Sequence, residues 1–234
     1  MRIGKAMTAW PRETFMLKRV LLSLTALSMV AAVAAAADFA QAGASTLAYS
    51  HVWSPPLNLP SNYRPCCPSA AGFTTLPFTM NVTGAQEAIL TVRMHTNWVD
   101  TKALSATPNL IQQGRYVKPV EIKISIHSGR APGDHRAQCR IAGSGGGVVN
   151  AQGPRGVDIA DGRWHTVTCV KYPDTSKGTN VQVIVDGIAG PMTHSATPIG
   201  SVISTAPVDL GGQGPVANLD SIDGQFSSVS YTVS

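Results

Sequence analysis

Carboxylates, thiols and imidazoles are the groups through which this 234-residue chain could do chemistry. Cleavage of a glycosidic bond by the retaining route needs two carboxyl groups about 5–5.5 Å apart. On a strand that means acids at alternating positions, because successive side chains point to opposite faces. From Gly43 onward the chain holds two glutamates, Glu87 and Glu121, and neither has a second acid at that spacing. Ala142-Gly-Ser-Gly-Gly146 has the letters of a nucleophile elbow, a device that needs a strand before the serine and a helix after it. More glycine and valine follow here, so a hairpin loop is expected. Gly212-Gln-Gly-Pro-Val-Ala217 has the letters of a dinucleotide loop, but Pro215 and the missing βαβ context reject it. His51, His95, His127, His135, His165 and His194 are too dispersed to point to zinc. No catalytic, cofactor-binding or metal-binding residue is assigned.

The four cysteines are Cys66, Cys67, Cys139 and Cys169. In an oxidising compartment they can pair, with three possible connectivities. Pro65-Cys-Cys-Pro68 lacks the Cys-x-x-Cys spacing of metal sites. A disulfide between the adjacent pair would strain the small ring it closes. A Cys139–Cys169 bridge is expected, and closing its loop of about 30 residues contributes about 3–4 kcal/mol in the chain-entropy model. Cys66 and Cys67 are left without a partner within the chain, and one use for them is an intermolecular bond.

The elements that would carry these residues are strands. Val120, Ile122, Ile124 and Ile126 alternate with Glu121, Lys123, Ser125 and His127. That pattern predicts a half-buried antiparallel strand with the polar side in water. Val181, Val183 and Val185 repeat it, as do Val229, Tyr231 and Val233. Ala88 to Met94 and Trp164 to Val170 are rich in strand formers. Turn clusters separate them: Gly129 to Gly133, Gly143 to Gly147, Pro173 to Gly178, Asp186-Gly187 and Gly211-Gly212. No long helical pattern follows the N-terminal segment. The expectation is an all-β, two-sheet antiparallel β-sandwich over residues 43–234.

The first 42 residues read differently. Lys18-Arg19 precedes an almost unbroken Val, Leu, Ala and Met run from Val20 to Ala37, and Ala40-Gln41-Ala42 offers a small-x-small exit. Together these are the parts of a cleaved secretory signal. Counted from Met1 it is longer than the usual ~15–30 residues; counted from Met16 it falls inside that range, so translation from Met16 is expected. A signal-peptide helix at 1–42 and an exported domain at 43–234 are the predicted units, with no membrane attachment after cleavage.

Hydrophobic residues make up 44% of the chain and charged residues 13%, the balance of a packed domain rather than a disordered one. The net charge of +5 is mostly in the leader: from Gly43 onward 13 Lys or Arg face 11 Asp or Glu, scattered along the chain. Nucleic acid is therefore not an expected partner.

Asp161-Gly-Arg-Trp-His-Thr-Val167 resembles the D-G-x-W-H-x-V strand entry of laminin G-like domains, within the concanavalin A-like jelly-roll group. Val183-Ile-Val-Asp-Gly187, Leu210-Gly-Gly212 and Gly224-Gln-Phe-Ser-Ser-Val229 resemble later strands of that family, in the same order. Asn109 to Gly114 matches an earlier one. The likeness covers residues 109–233. It implies two antiparallel sheets, with the Trp164 strand and the Val183–Asp186 strand as a hairpin. It also implies non-catalytic binding to glycans or proteins, in some members through calcium on a sheet rim. Asp100, Asp158, Asp161 and Asp220 are the acids available for calcium, and none is placed on that rim. Trp164 is expected as a core anchor and His165 as a structural residue. Trp53, Trp98 and Tyr63 are the remaining aromatics for a sugar platform, each expected in part of the core. The functional expectation is a secreted binding module for extracellular glycan or protein. A glycan-active hydrolase with an unorthodox site and a disulfide-linked assembly protein are the alternatives.

Overall fold

Short runs of Val, Ile and Thr between glycine-rich turns become antiparallel strands. The computed structural model describes residues 46–59, 73–96, 107–114, 120–128, 134–212, 222 and 224–234. The leader with Met16, and also Tyr63, Cys66, Cys67, Trp98, Asp100 and Asp220, lie outside the described residues. In chain order the strands are β1 (Thr46–Leu59), β2 (Thr74–Leu76), β3 (Ala88–His95), β4 (Asn109–Gly114), β5 (Glu121–Ser128), β6 (His135–Ala142) and β7 (Val148–Gln152). They continue as β8 (Trp164–Lys171), β9 (Thr179–Val185), β10 (Ile188–Ala189), β11 (Thr193–Ser195), β12 (Val208–Leu210) and β13 (Gly224–Val233). A seven-stranded sheet runs β1-β13-β3-β8-β9-β10, with β11 also on β9, and a six-stranded sheet runs β2-β12-β4-β5-β6-β7. The chain is an all-β sandwich of two antiparallel sheets.

The period-2 alternation decides what faces inward. Leu90, Val92, Met94, Val167, Val181, Val183, Val185, Val229 and Tyr231 fill the core from the seven-stranded sheet. Ile111, Ile122, Ile124, Ile126, Ile141, Val149, Val208 and Leu210 meet them from the other. The disulfide between Cys139 on β6 and Cys169 on β8 crosses this core, with Cα atoms 5.9 Å apart. Since β6 and β8 belong to different sheets, it fastens one layer to the other.

The β8–β9 hairpin forms with Val167 opposite Val185. Asp186-Gly187 then turns the chain into β10, with φ of 51° and 81°. Two consecutive left-handed residues are what a tight two-residue hairpin of type I′ requires. Lys171, at the end of β8, is wholly buried. Its ammonium donates to the carbonyls of Gly84 (3.1 Å), Gln86 (3.1 Å) and Tyr172 (3.2 Å) and lies 3.4 Å from Asp174 Oδ1. Asp174 accepts in turn from Thr179 Oγ1 and from the Gly200 amide.

Two expectations are corrected. The polar side of β5 is not simply in water: Glu121 and Ser125 are as buried as the isoleucines between them. Trp164 is not a core anchor. Inward positions on β8 are 165, 167 and 169, so Trp164 falls on the outer face, half-buried. There Arg93 sits 5.6 Å above its ring, and the His95 ring is 5.6 Å away.

Candidate functional site on the six-stranded sheet

Strand pairing lines up one outward side chain from each of the six strands. Thr75 faces Asp209, Asp209 faces Gln112, Gln112 faces Lys123, Lys123 faces Arg140, and Arg140 faces Asn150. All six are polar or charged. Directly opposed residues lie about 4.5–5.5 Å apart at Cβ, close enough to bond one another. A second outward row holds Asn109, Ser125, Gln138 and Gln152, and a third holds His127 and Arg136.

Side-chain bonds link much of the first row to Glu121 and to Asn109 of the second. Thr75 Oγ1 donates to Asp209 Oδ1 at 3.0 Å. Arg140 Nε donates to Glu121 Oε2 at 2.7 Å and its Nη1 to Asn150 Oδ1 at 3.0 Å. Lys123 Nζ lies 3.9 Å from Glu121 Oε1. Gln112 Nε2 donates to that same oxygen at 3.3 Å and to the Gly114 carbonyl at 2.6 Å. Gln112 Oε1 accepts from Asn109 Nδ2 at 2.5 Å. Exposure is 1% for Glu121, 2% for Gln112 and 0% for Asn109 and Ser125. Lys123, Gln138, Arg140 and Gln152 around them are half-buried. The face is therefore a buried polar floor between half-buried polar walls. Two atoms of the floor, Asn109 Oδ1 and Ser125 Oγ, make no hydrogen bond.

The other sheet carries a separate cluster. His165 Nδ1 lies 2.7 Å from Asp186 Oδ2, and Nε2 lies 2.9 Å from Asp161 Oδ1. A carboxylate on each side favours the imidazolium, the form in which both ring nitrogens donate. Burial opposes that charge, but the hydrogen bonds to Asp161 and Asp186 outweigh it and raise the His165 pKa. Burial also pushes Asp161 upward, yet the His165 hydrogen bond and the Arg163 amide prevail and lower its pKa. The same carboxylates hold backbone: Asp161 Oδ1 accepts from Arg163 N and Asp186 Oδ1 from Thr166 N. The cluster is a clasp between the start of β8 and the β9–β10 turn. A raised histidine pKa contributes stability below the unfolded value of about 6.5, lost as pH rises through the folded value. The lowered Asp161 pKa contributes stability lost as pH falls below about 4. Thermal unfolding should therefore show a His165→Asn variant losing most, relative to wild type, near pH 5.5. The gap should narrow by about pH 8.5. An equal gap at both pH values would mean that the charge contributes nothing.

The remaining sequence candidates lie elsewhere. Asp158 accepts from Ala160 N and pairs with His135, and Asp161 belongs to the clasp, so the two described acids proposed for calcium are engaged separately. Among the described residues no three acids, histidines or cysteines gather where they could hold a metal ion. Trp53 packs at the sandwich edge beside His51 at 4.6 Å, in line with Tyr49 stacked on Phe78. Ser144 accepts from the Ser201 amide in the Gly143–Gly147 hairpin turn, with strand on both sides and no helix.

Comparison with known proteins finds no matching family model and no matching curated protein. The chain is similar to solved structures. Domains LG4-5 of the mouse laminin α1 chain are 14% identical over 83% of this chain and 46% of that one, with a TM-score of 0.49. The binding domain of Paraclostridial mosquitocidal protein 1 is 11% identical over 76% and 39%, at 0.48. The endo-1,3-β-glucanase of Streptomyces sioyaensis is 16% identical over 66% and 67%, at 0.37. The likeness is one of fold alone. The chain spans less than half the length of the first two.

Sequence reasoning missed the polar rows. Their signal is polar residues at alternate positions on β4, β5 and β6, read as a solvated face. The adjacent Gln112-Gln113 in a strand otherwise buried was the clue. Gln113 points inward, where its Oε1 accepts from Met80 N at 2.7 Å and its Nε2 donates to the Ala206 carbonyl at 2.8 Å.

Proposed function

We propose that the chain is an exported module that binds a glycan on the polar face of the six-stranded sheet without cleaving it. The observation that carries this reading is the row of six hydrogen-bonding side chains laid across six strands, over a floor hidden from bulk water. Polyhydroxylated ligands are recognised by placed amide, carboxylate and guanidinium groups, and rigid strands place them more accurately than loops. Export is supported by the N-terminal leader and by a disulfide of the kind that persists in oxidising compartments. Non-catalytic binding is supported by Glu121, whose two oxygens are engaged by Gln112 and Arg140.

The test is a glycan array probed with the purified full-length chain, with calcium and again with a chelator, alongside a reducing-sugar assay. A Gln138→Ala, Gln152→Ala double variant is expected to weaken binding at least about fivefold, two modest hydrogen bonds' worth. Trp164→Ala, on the other sheet, should leave binding intact. The reverse pattern would move the ligand to the seven-stranded sheet, and released reducing ends would make the protein an enzyme.

A further inference from the structure

The orientation of one amide on the floor fixes what a ligand must offer there. Arg140 holds Glu121 as an acceptor. Gln112 therefore turns its Nε2 toward Glu121 Oε1 and the Gly114 carbonyl, two groups that only accept. That leaves Gln112 Oε1 toward β4, where it accepts from Asn109 Nδ2. Asn109 thus cannot flip, and its Oδ1 is the atom left over, wholly buried and without a partner. Directly across the strand pair stands Ser125, whose Oγ is also buried and unpartnered. Native proteins rarely leave such groups unsatisfied.

We infer that Asn109 Oδ1 and Ser125 Oγ form a subsite for two adjacent hydroxyls of a sugar ring, a claim that rests on the glycan-binding reading above. Asn109 Oδ1 has lone pairs and no hydrogen, so the ligand group facing it donates. Ser125 Oγ donates or accepts, as a second hydroxyl does. A carboxylate or sulfate brings no donor and would set acceptor against acceptor. An ammonium ligand could donate, but Lys123 on the same face of β5 and Arg140 in the adjoining row repel it. Neutral hydroxyls remain. The two side chains face each other across one strand pair, a separation that neighbouring hydroxyls of one ring can bridge.

The experiment titrates the full-length chain with neutral oligosaccharides (gluco- and manno-oligosaccharides) and with the same sugars O-methylated at their ring hydroxyls, for wild type, Ser125→Ala and Asn109→Leu. The free sugars should bind and the methylated ones, which have no hydroxyl hydrogen to donate, should not. Ser125→Ala should weaken the free sugar about three- to tenfold, the loss of one hydrogen bond. The melting temperature of that variant should stay level or rise, because the hydroxyl removed has no partner in the free protein. A purely structural serine would show the opposite: lower stability and unchanged affinity. Asn109→Leu should abolish the preference for free over methylated sugars. Free-sugar binding that neither substitution weakens overturns the subsite, leaves the glycan reading standing and assigns the pair to a buried water. Equal or tighter binding of the methylated sugars also overturns it. Failure of every glycan to bind any form sinks the glycan reading and the subsite with it.

Discussion

Replacing Lys171 by methionine is expected to destabilise the protein by about 3–5 kcal/mol, the usual result of removing one partner from a buried ion pair. Methionine fills a similar volume, so the loss is chiefly electrostatic. The Gly84, Gln86 and Tyr172 carbonyls lose their common donor, and Asp174 loses the cation beside it. Three segments separate in consequence: the turn before β3, the end of β8 and the 174–179 loop. Urea unfolding provides the measurement. The midpoint should fall with the slope unchanged, which marks altered stability rather than an altered unfolded state. Lys171→Arg should recover little, because a planar guanidinium cannot aim at carbonyls arranged around a point charge. A midpoint shift worth under 1 kcal/mol would show that the ammonium is dispensable.

Loss of the Cys139–Cys169 bond is expected to cost about 3–4 kcal/mol through the freedom regained by the unfolded chain. The loop it closes spans 30 residues and includes β7. A Cys139→Ala, Cys169→Ala variant should unfold at lower urea concentration, and reductant should bring the wild type to the same midpoint. Both sulfurs lie in the core, so reductant should act only at denaturant concentrations that open the sandwich. Rapid reduction of the native protein without denaturant would contradict that, as would a double variant as stable as the wild type.

The strands were legible because their apolar residues alternate. β5, β9 and β13 lie where Val120–Ile126, Val181–Val185 and Val229–Val233 indicated. Trp164 shows what residue type misses and parity supplies. Val167 and Cys169 share one face of β8 with position 165, so position 164 must face outward whatever its size. The polar rows were beyond reach for another reason. An alternating polar residue looks solvated until its neighbours across the sheet are known, and those neighbours come from distant sequence. Thr75 and Asp209 are 134 residues apart, yet they hydrogen-bond side by side. Register sets the row, and register depends on pairings that no local pattern encodes. The floor of Asn109, Gln112, Glu121 and Ser125 became visible only when β4, β5 and β6 were laid together.

The place of β13 has a consequence for how the protein is made. The last of the described strands does not sit at the margin of its sheet; it lies between β1 and β3. Until those ten residues arrive, β1 has no hydrogen-bonded neighbour in its sheet and β3 presents an open edge of the kind that recruits other chains. The six-stranded sheet faces a milder delay, since β4 to β7 follow one another as successive hairpins and can pair as they appear. A nascent chain therefore holds half a sandwich with an adhesive rim, and its closing contacts join residues separated by nearly the whole domain. Such contacts form slowly. Successful production thus depends on holding the chain apart from its copies until β13 is free.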